Sequence, residues 1–281
     1  MYNQTFIRNF YSPLQPTESS RGDTLLFYKE YEPCNELQSL VYCFWELKTS
    51  RPITDTYLYN IVTDGCTDLM FDCKSSGLPI LIGASYKAYQ SAISRDIHYF
   101  GIKFFPGCLR FFIDIPLHEI AGKLLKAKNI LKKDISDLSL QIFEQTTIEE
   151  RIKKAESFLL QQLQYNQTNI HPAFQQALYT ILVNKGNINS LNEISKDITG
   201  RHLRRLFLQY IGFCPKLFSR IIRFQNVLSV ILQQNQPLYK FVFNDYGFFD
   251  QSHFIREFKE FYGSTPGNQK LGITNIKWIE E

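Results

Sequence analysis

The spacing of apolar positions changes character along the chain. Between Thr24 and Phe105 it falls into six short runs, TLLFYKEY, SLVYCFWELK, TYLYNIV, TDLMFDC, LPILIGA and IHYFGIKF. They are rich in β-branched and aromatic residues and broken by Gly, Pro and Asp, which predicts strands. Six strands so close together predict an antiparallel sheet or a barrel-like fold. Past Phe105-Pro106-Gly107, CLRFFIDI and PLHEIAGKLL are expected as short helices, the second opened by Pro116. Residues 134–166 then take a helical period, with Ile148, Ile152, Ala155, Leu159 and Leu163 forming one stripe. Such a stripe packs on its own sheet or pairs with a second subunit, and periodicity does not choose between them.

Further on, Phe174, Leu178 and Ile181 make an inward face on a helix opened by His171-Pro172 and ending near Gly186. Ser190 and Glu193 read as a capping box for a short helix from Leu191 to Asp197. Thr199 is the expected cap of GRHLRRLFLQYIG, whose buried stripe is Leu203, Leu206, Phe207 and Tyr210. Gly212 ends that helix, and Pro215 opens a longer one to Gln234, about 30 Å in length. After the turn at Gly247, Asp250 caps a last helix with Phe254, Phe258, Phe261 and Tyr262 inward. Gly263 stops it and Pro266 prevents a restart.

The overall expectation is α+β: a β-rich sensor or dimerisation domain over 24–166 and an all-α domain over 167–281. The first 23 residues, holding Pro13, Pro16, Ser19, Ser20 and Gly22, are expected to be a flexible segment. Gln161 to Asn169, amide-rich and polar, is the expected interdomain linker.

Pairs of short helices whose second member shows basic and amide residues outward match helix-turn-helix docking on DNA. Charge sharpens this. The net charge of +4 is modest, but no acidic residue occurs between Asp197 and Asp245, where Arg201, Arg204, Arg205, Lys216, Arg220, Arg223 and Lys240 fall. A one-sign segment in a folded, aromatic-rich region points to a polyanion. Arg201, Arg204 and Arg205 are the first-unit candidates for reading bases; Gln251, Ser252, Ile255 and Arg256 are the second-unit candidates. Arg and Gln bond guanine and adenine edges bidentately, and Ile meets a thymine methyl. Lys216, Arg220, Arg223 and Lys259 are expected to serve phosphate or structure.

Residues 172–267 resemble the DNA-binding domain of the AraC/XylS transcription regulators. The likeness rests on Leu203, Arg205 and Phe207, then Gly212, Pro215 and Arg223, and above all on Gly247, Phe248, Asp250 through Phe254, Phe258, Lys259, Gly263, Thr265 and Pro266. This sequence departs where the family carries an Ile-Ala pair, reading Phe241-Val242-Phe243, and ends with Gln269 in place of an aromatic. The resemblance implies sequence-specific promoter binding by two recognition helices. Residues 24–130 resemble an N-terminal domain of unassigned activity found on some such regulators, through Pro33, Leu37, Trp45, Asp64, Gly65, Cys66, Asp68, Leu69, Gly83, GIKFFPG and Pro116. That implies effector binding or dimerisation.

Other chemistry is thinly represented. The six cysteines include no C-x-x-C pair and read as reduced core thiols, and the five histidines lack metal-ligand spacing. His202 and His253 read as packing or backbone-bonding residues. Asp64-Gly65-Cys66-Thr67-Asp68 reads first as a tight turn, with a ligand role as the alternative. Phe44, Trp45, Phe71, Tyr99, Phe104 and Phe105 line either a plain core or a pocket. No secretory leader or membrane-length apolar run is present, so a cytoplasmic, non-enzymatic protein without cofactor or metal is expected. Its candidate partners are promoter DNA, RNA polymerase, a small-molecule effector and a second copy. The alternative is a DNA-binding module fused to an enzyme, such as a cysteine alkyl-transfer domain, where Cys108 near Arg110 is the nearest approach. A third reading is a regulator whose second unit is degenerate and works through protein contacts.

Overall fold

Alternation of inward and outward side chains builds two antiparallel sheets in the N-terminal half. The computed structural model describes residues 5–16, 25–128, 130–131, 135–165, 169–188, 190–194, 198–234 and 246–266. Its strands are β1 (Leu26–Tyr31), β2 (Val41–Thr49), β3 (Tyr57–Ile61), β4 (Thr67–Asp72), β5 (Ile80–Ile82), β6 (Tyr89–Ile93), β7 (His98–Phe104) and β8 (Leu124–Lys126). One sheet has the order β1-β2-β7-β4-β5-β8, and the other pairs β3 with β6. Six strands fall on the six expected runs. The other two were missed. Tyr89–Ile93 is short and only mildly apolar, and Leu124–Lys126 sits in a stretch whose leucines and lysines favour helix. Pairing of Leu124–Lys126 with Ile80–Ile82 overrides that propensity. The two expected short helices contract to 3-10 turns over Cys108–Phe111 and Leu117–Glu119.

Close approach explains two of the glycines. A Cβ at Gly101 would stand 2.0 Å from the Trp45 ring, so only glycine lets Trp45 lie across β7. At Gly83 a Cβ would meet the Ile120 carbonyl oxygen at 1.9 Å, so β5 passes tightly under the turn that leads to β8.

The N-terminal segment corrects the sequence reading. Thr5–Phe10 forms helix α1, and the segment from there to residue 16 is packed rather than flexible. Phe6 and Phe10 meet Tyr179 edge-on, Ile7 and Tyr11 are buried, and Arg8 donates to the carbonyls of Gln38, Val41 and Tyr42. The missed signal was Phe6, Ile7, Phe10 and Tyr11, an apolar helical stripe masked by the neighbouring prolines.

Helices α2 (Ser136–Glu144) and α3 (Ile148–Tyr165) follow. The α3 stripe faces its own molecule: Ala155 and Leu159 are buried, and Ile148, Ile152 and Leu163 pack against the same core. Arg151 closes α2 by donating to the Ile142 and Gln145 carbonyls. Much of the expected linker is the end of α3, which runs to Tyr165. The C-terminal half consists of α4 (Pro172–Val183), α5 (Leu191–Ile194), α6 (Gly200–Tyr210), α7 (Pro215–Gln234) and α8 (Gln251–Tyr262). Phe241-Val242-Phe243 and Lys240 lie outside the described residues. One continuous core joins both halves, with Gly107 beside Phe174 and Gly212 against Leu117 and Ala121. Among the described residues no helix is long and apolar enough to cross a membrane.

Candidate nucleic-acid interface

Local chemistry sets both outward-facing helices. Thr199 accepts from the His202 N–H at 3.2 Å and starts α6, and Asp250 accepts from the His253 N–H at 2.6 Å and starts α8. Gly263, at φ 97°, ends α8 with its N–H on the Lys259 carbonyl at 3.0 Å. Leu203, Leu206, Phe207 and Tyr210 are buried under α6; Phe254, Phe258, Phe261 and Tyr262 are buried under α8. The N-H of Glu193 bonds the Ser190 carbonyl at 3.2 Å where α5 begins.

That burial leaves Arg201, Arg204 and Arg205 exposed on α6, and Gln251, Ser252, Arg256 and Lys259 exposed on α8, with Ile255 half-buried. Arg204 and Arg256 line the same cleft of about 690 Å³, together with Lys216 of α7 and the paired Arg220 and Arg223. The two helices therefore present cations to one side of the molecule. Among the described residues, no ion pair engages Arg201, Arg204, Arg205, Arg256, Lys216 or Lys259.

Arg220 and Arg223 are structural here. Arg220 reaches Glu257 and Glu260, each at 2.5 Å, and Arg223 reaches Glu257 at 2.7 Å. Arg223 also donates to the Gly247 carbonyl at 3.0 Å and lies over the Phe248 ring at 4.4 Å. Burial would raise the Glu257 carboxyl, but the hydrogen bonds and charge of Arg220 and Arg223 outweigh it and hold it below its ordinary value. Glu257, buried on the inward side of α8, thus locks the second helix onto α7. The sequence reading missed it, because its acid lies outside the acid-free window whose cations it neutralises. It also missed Phe249, 91% exposed in the turn just before the cap of α8. His253 behaves as a backbone-bonding residue: its Nδ1 accepts from the Phe249 N–H at 3.3 Å.

A helix-turn-helix domain family matches residues 197–270, which contain α6, α7 and α8. The chain carries an AraC-type DNA-binding domain. It is a DNA-binding transcription regulator. Residues 29–126, the sheet-bearing part, match a domain of unknown function, DUF6597. No curated protein matches the chain. Among solved structures, ToxT from Vibrio cholerae O395 is similar at 12% identity, covering 90% of this chain and 100% of that one, with a TM-score of 0.44. Unsaturated fatty acid bound ToxT from Vibrio cholerae strain SCE256 is similar at 15% identity, covering 87% and 94%, with a TM-score of 0.40.

The AraC-type domain is not free of the sheets. A helix leaves its last four carbonyls without partners inside itself. In α8 these belong to Lys259, Glu260, Phe261 and Tyr262. Gly263 takes the first, and the N-terminal domain takes the other three: Ala88 N–H on Glu260 at 3.0 Å, Thr63 N–H on Phe261 at 3.1 Å, and Asn60 Nδ2 on Tyr262 at 2.7 Å. Gln225 of α7 adds a clamp, donating to the Thr63 carbonyl at 2.8 Å and accepting from the Leu14 N–H at 2.8 Å.

Behind that junction lies a buried charge cluster. Lys103 Nζ sits 2.6 Å from Asp64 and 4.0 Å from Asp68, and Trp45 Nε1 donates to Asp68 at 2.8 Å. Burial works against the Lys103 ammonium, but Asp64 and Asp68 more than compensate and hold it well above the ordinary value. Asp64 also caps its own turn, accepting from the Cys66 N–H at 2.9 Å, with Gly65 at φ 72°. The turn reading is right locally, and the same residues also serve this cluster. Trp45 and Tyr99 line a cavity of about 240 Å³ here, whereas Phe44, Phe71, Phe104 and Phe105 are buried core. Among the described residues, no group of three or more His, Cys, Asp or Glu is placed to hold a metal ion.

Proposed function

We infer that α6 and α8 dock in successive major grooves of promoter DNA, and that the N-terminal domain modulates this docking through its hold on the end of α8. The shared cleft of Arg204 and Arg256 carries the first half of this reading. Helix α7, at 20 residues and thus about 30 Å, spaces the units near the ~34 Å that separates grooves on one face of B-DNA. Arg201, Arg204 and Arg205 read bases in one groove; Gln251, Ser252, Ile255 and Arg256 read them in the next. Lys216 and Lys259 neutralise phosphates. Selection of bound sequences from random duplexes should return two half-sites about one helical turn apart, and a single short site would remove the two-groove reading. Lys216→Ala should lower the slope of log affinity against log salt by about 0.9 and leave base preference unchanged, as measured by retardation at several salt concentrations.

The three capped carbonyls of α8 carry the regulatory half. Asn60→Ala removes one of these bonds, worth about 1 kcal/mol, and should weaken promoter binding about fivefold by loosening α8. Unchanged affinity in the same retardation assay would detach the N-terminal domain from control of α8. Two apolar side chains of α2, Leu140 and Phe143, are exposed and offer a surface to a second copy. RNA polymerase completes the partners, in the cytoplasm. Thiol chemistry finds little support. Burial pushes Cys34 and Cys73 up to about 11 and moves Cys43, Cys66 and Cys108 upward as well. Arg110, the cation nearest Cys108 in sequence, donates to the Ile113 and Ile115 carbonyls.

A further inference from the structure

The cavity lies between the two sheets. Trp45, Asp68, Met70, Tyr99 and Lys103 reach it from the six-stranded sheet, Tyr59 and Ile61 from β3, and Tyr89, Ser91 and Ile93 from β6. The cavity opens to solvent on one side, and its volume of about 240 Å³ suits a small ligand. Its walls are largely aromatic and aliphatic, with Gln15, Ser91 and Ser94 among them, and Asp68 and Lys103 are its buried charged groups.

The distribution of charge around these two groups selects the ligand. Asp64 already holds Lys103 at 2.6 Å. Asp68 gives one oxygen to Trp45, and its other oxygen stands 4.0 Å from Lys103, beyond hydrogen-bond reach. Glu30, held by the Tyr28 hydroxyl at 2.7 Å, acts on Asp68 from outside the lining, and burial raises its own carboxyl. Arg95 also lines the cavity, but it is largely exposed and faces Asp72 at 3.5 Å. Two carboxylates, Asp64 and Asp68, therefore share one ammonium that is already engaged, and the rings of Trp45, Tyr59 and Tyr89 line the same space. An incoming carboxylate would add a third like charge; an incoming ammonium supplies the missing counter-ion.

We propose that this cavity binds a small arylalkyl ammonium, with the cationic head on the second oxygen of Asp68 and the apolar body among Trp45, Tyr59 and Tyr89. The assignment deepens the regulatory reading and rests on it for its consequence. An ammonium at Asp68 would act on the Lys103–Asp64 pair, and Asp64 adjoins Thr63, which holds both Phe261 and Gln225. Binding should weaken in acid. Burial pushes the Asp68 carboxyl up to about 6 against the pull of Lys103, with Asp64, Glu30 and the Trp45 N–H as the other groups facing it. Protonation below that value removes the head's partner.

Tryptophan fluorescence of the full chain carrying Trp278→Phe, which leaves Trp45 as the one tryptophan, provides the readout. Titration with 2-phenylethylammonium should give a saturable change, roughly tenfold tighter than that with 3-phenylpropanoate or oleate. Asp68→Asn keeps an acceptor for Trp45 and removes the charge; it should weaken the ammonium by roughly tenfold at unchanged melting temperature. Tyr89→Leu, a second variant, should weaken it as well. No saturable response to the ammonium, tighter binding of either carboxylate, or an Asp68→Asn protein that binds as well as the parent overturns the proposal. A parallel DNA retardation titration tests the other reading separately: saturable binding without any change in promoter affinity leaves the ligand assignment standing and removes the regulatory role.

Discussion

Replacing Glu257 with alanine is expected to destabilise the protein by about 3 kcal/mol and to unseat α8. Glu257 is buried at 3% exposure between the guanidiniums of Arg220 and Arg223. Removing it strands two positive charges against each other, one beside Phe261 and one over Phe248. Partial exposure of Arg220 and its second partner Glu260 place the loss at the lower end of the range for broken buried pairs. Urea unfolding would measure it. Adding Arg223→Ala to the variant should cost less than the sum of the single losses, because the two share one interaction. Loss below about 0.5 kcal/mol would show that the pair is solvated and the helix held by its phenylalanines alone. The pH dependence has a definite sign. The folded carboxyl lies below its ordinary 4.5, so its contribution is whole above that value and disappears as pH falls through the depressed one. The parent's advantage over Glu257→Gln should therefore persist through mildly acid pH and vanish only in strong acid.

Arg204→Ala and Arg256→Ala should each remove about 1–3 kcal/mol of discrimination at one base position, roughly 5- to 150-fold. Each side chain is exposed on its helix and lines the common cleft. The measurement is retardation against the selected duplex and against duplexes with single base-pair changes. Each variant should lose preference in a different half-site, and the double variant should lose both nearly additively. Lysine should not rescue either position, because an ammonium lacks the bidentate fork. A uniform loss on every duplex would reassign the residue to phosphate contact. Normal preference in Arg256→Ala would favour a second unit that acts through protein contacts.

What could be read directly was local. Thr199 and Asp250 are followed by apolar residues at helical spacing, and Gly212 and Gly263 follow the last of them; capping chemistry and period need only near neighbours, so α6, α7 and α8 were legible to within a residue or two. The outward position of the arginines followed from the same periods. Leu124–Lys126 was illegible because its partner lies at Ile80–Ile82, and α1 because its anchors are carbonyls at Gln38, Val41 and Tyr42. Arg220 and Arg223 likewise stand in an acid-free window of sequence but not of space, because Glu257 reaches them from α8.

The chain by itself thus determined two outward-facing helices, the long helix between them and the strand-rich half ahead of them, since hydrogen bonding and burial within a few residues dictate each. Tertiary structure alone decided that Arg204 and Arg256 share a side, that Glu257 binds α8 to α7, and that Asn60, Thr63 and Ala88 cap α8. It also decided that Lys103 meets Asp64 and Asp68 beside a cavity. These depend on groups tens to hundreds of residues apart brought within about 3–4 Å, and such distances are set by packing of the whole core.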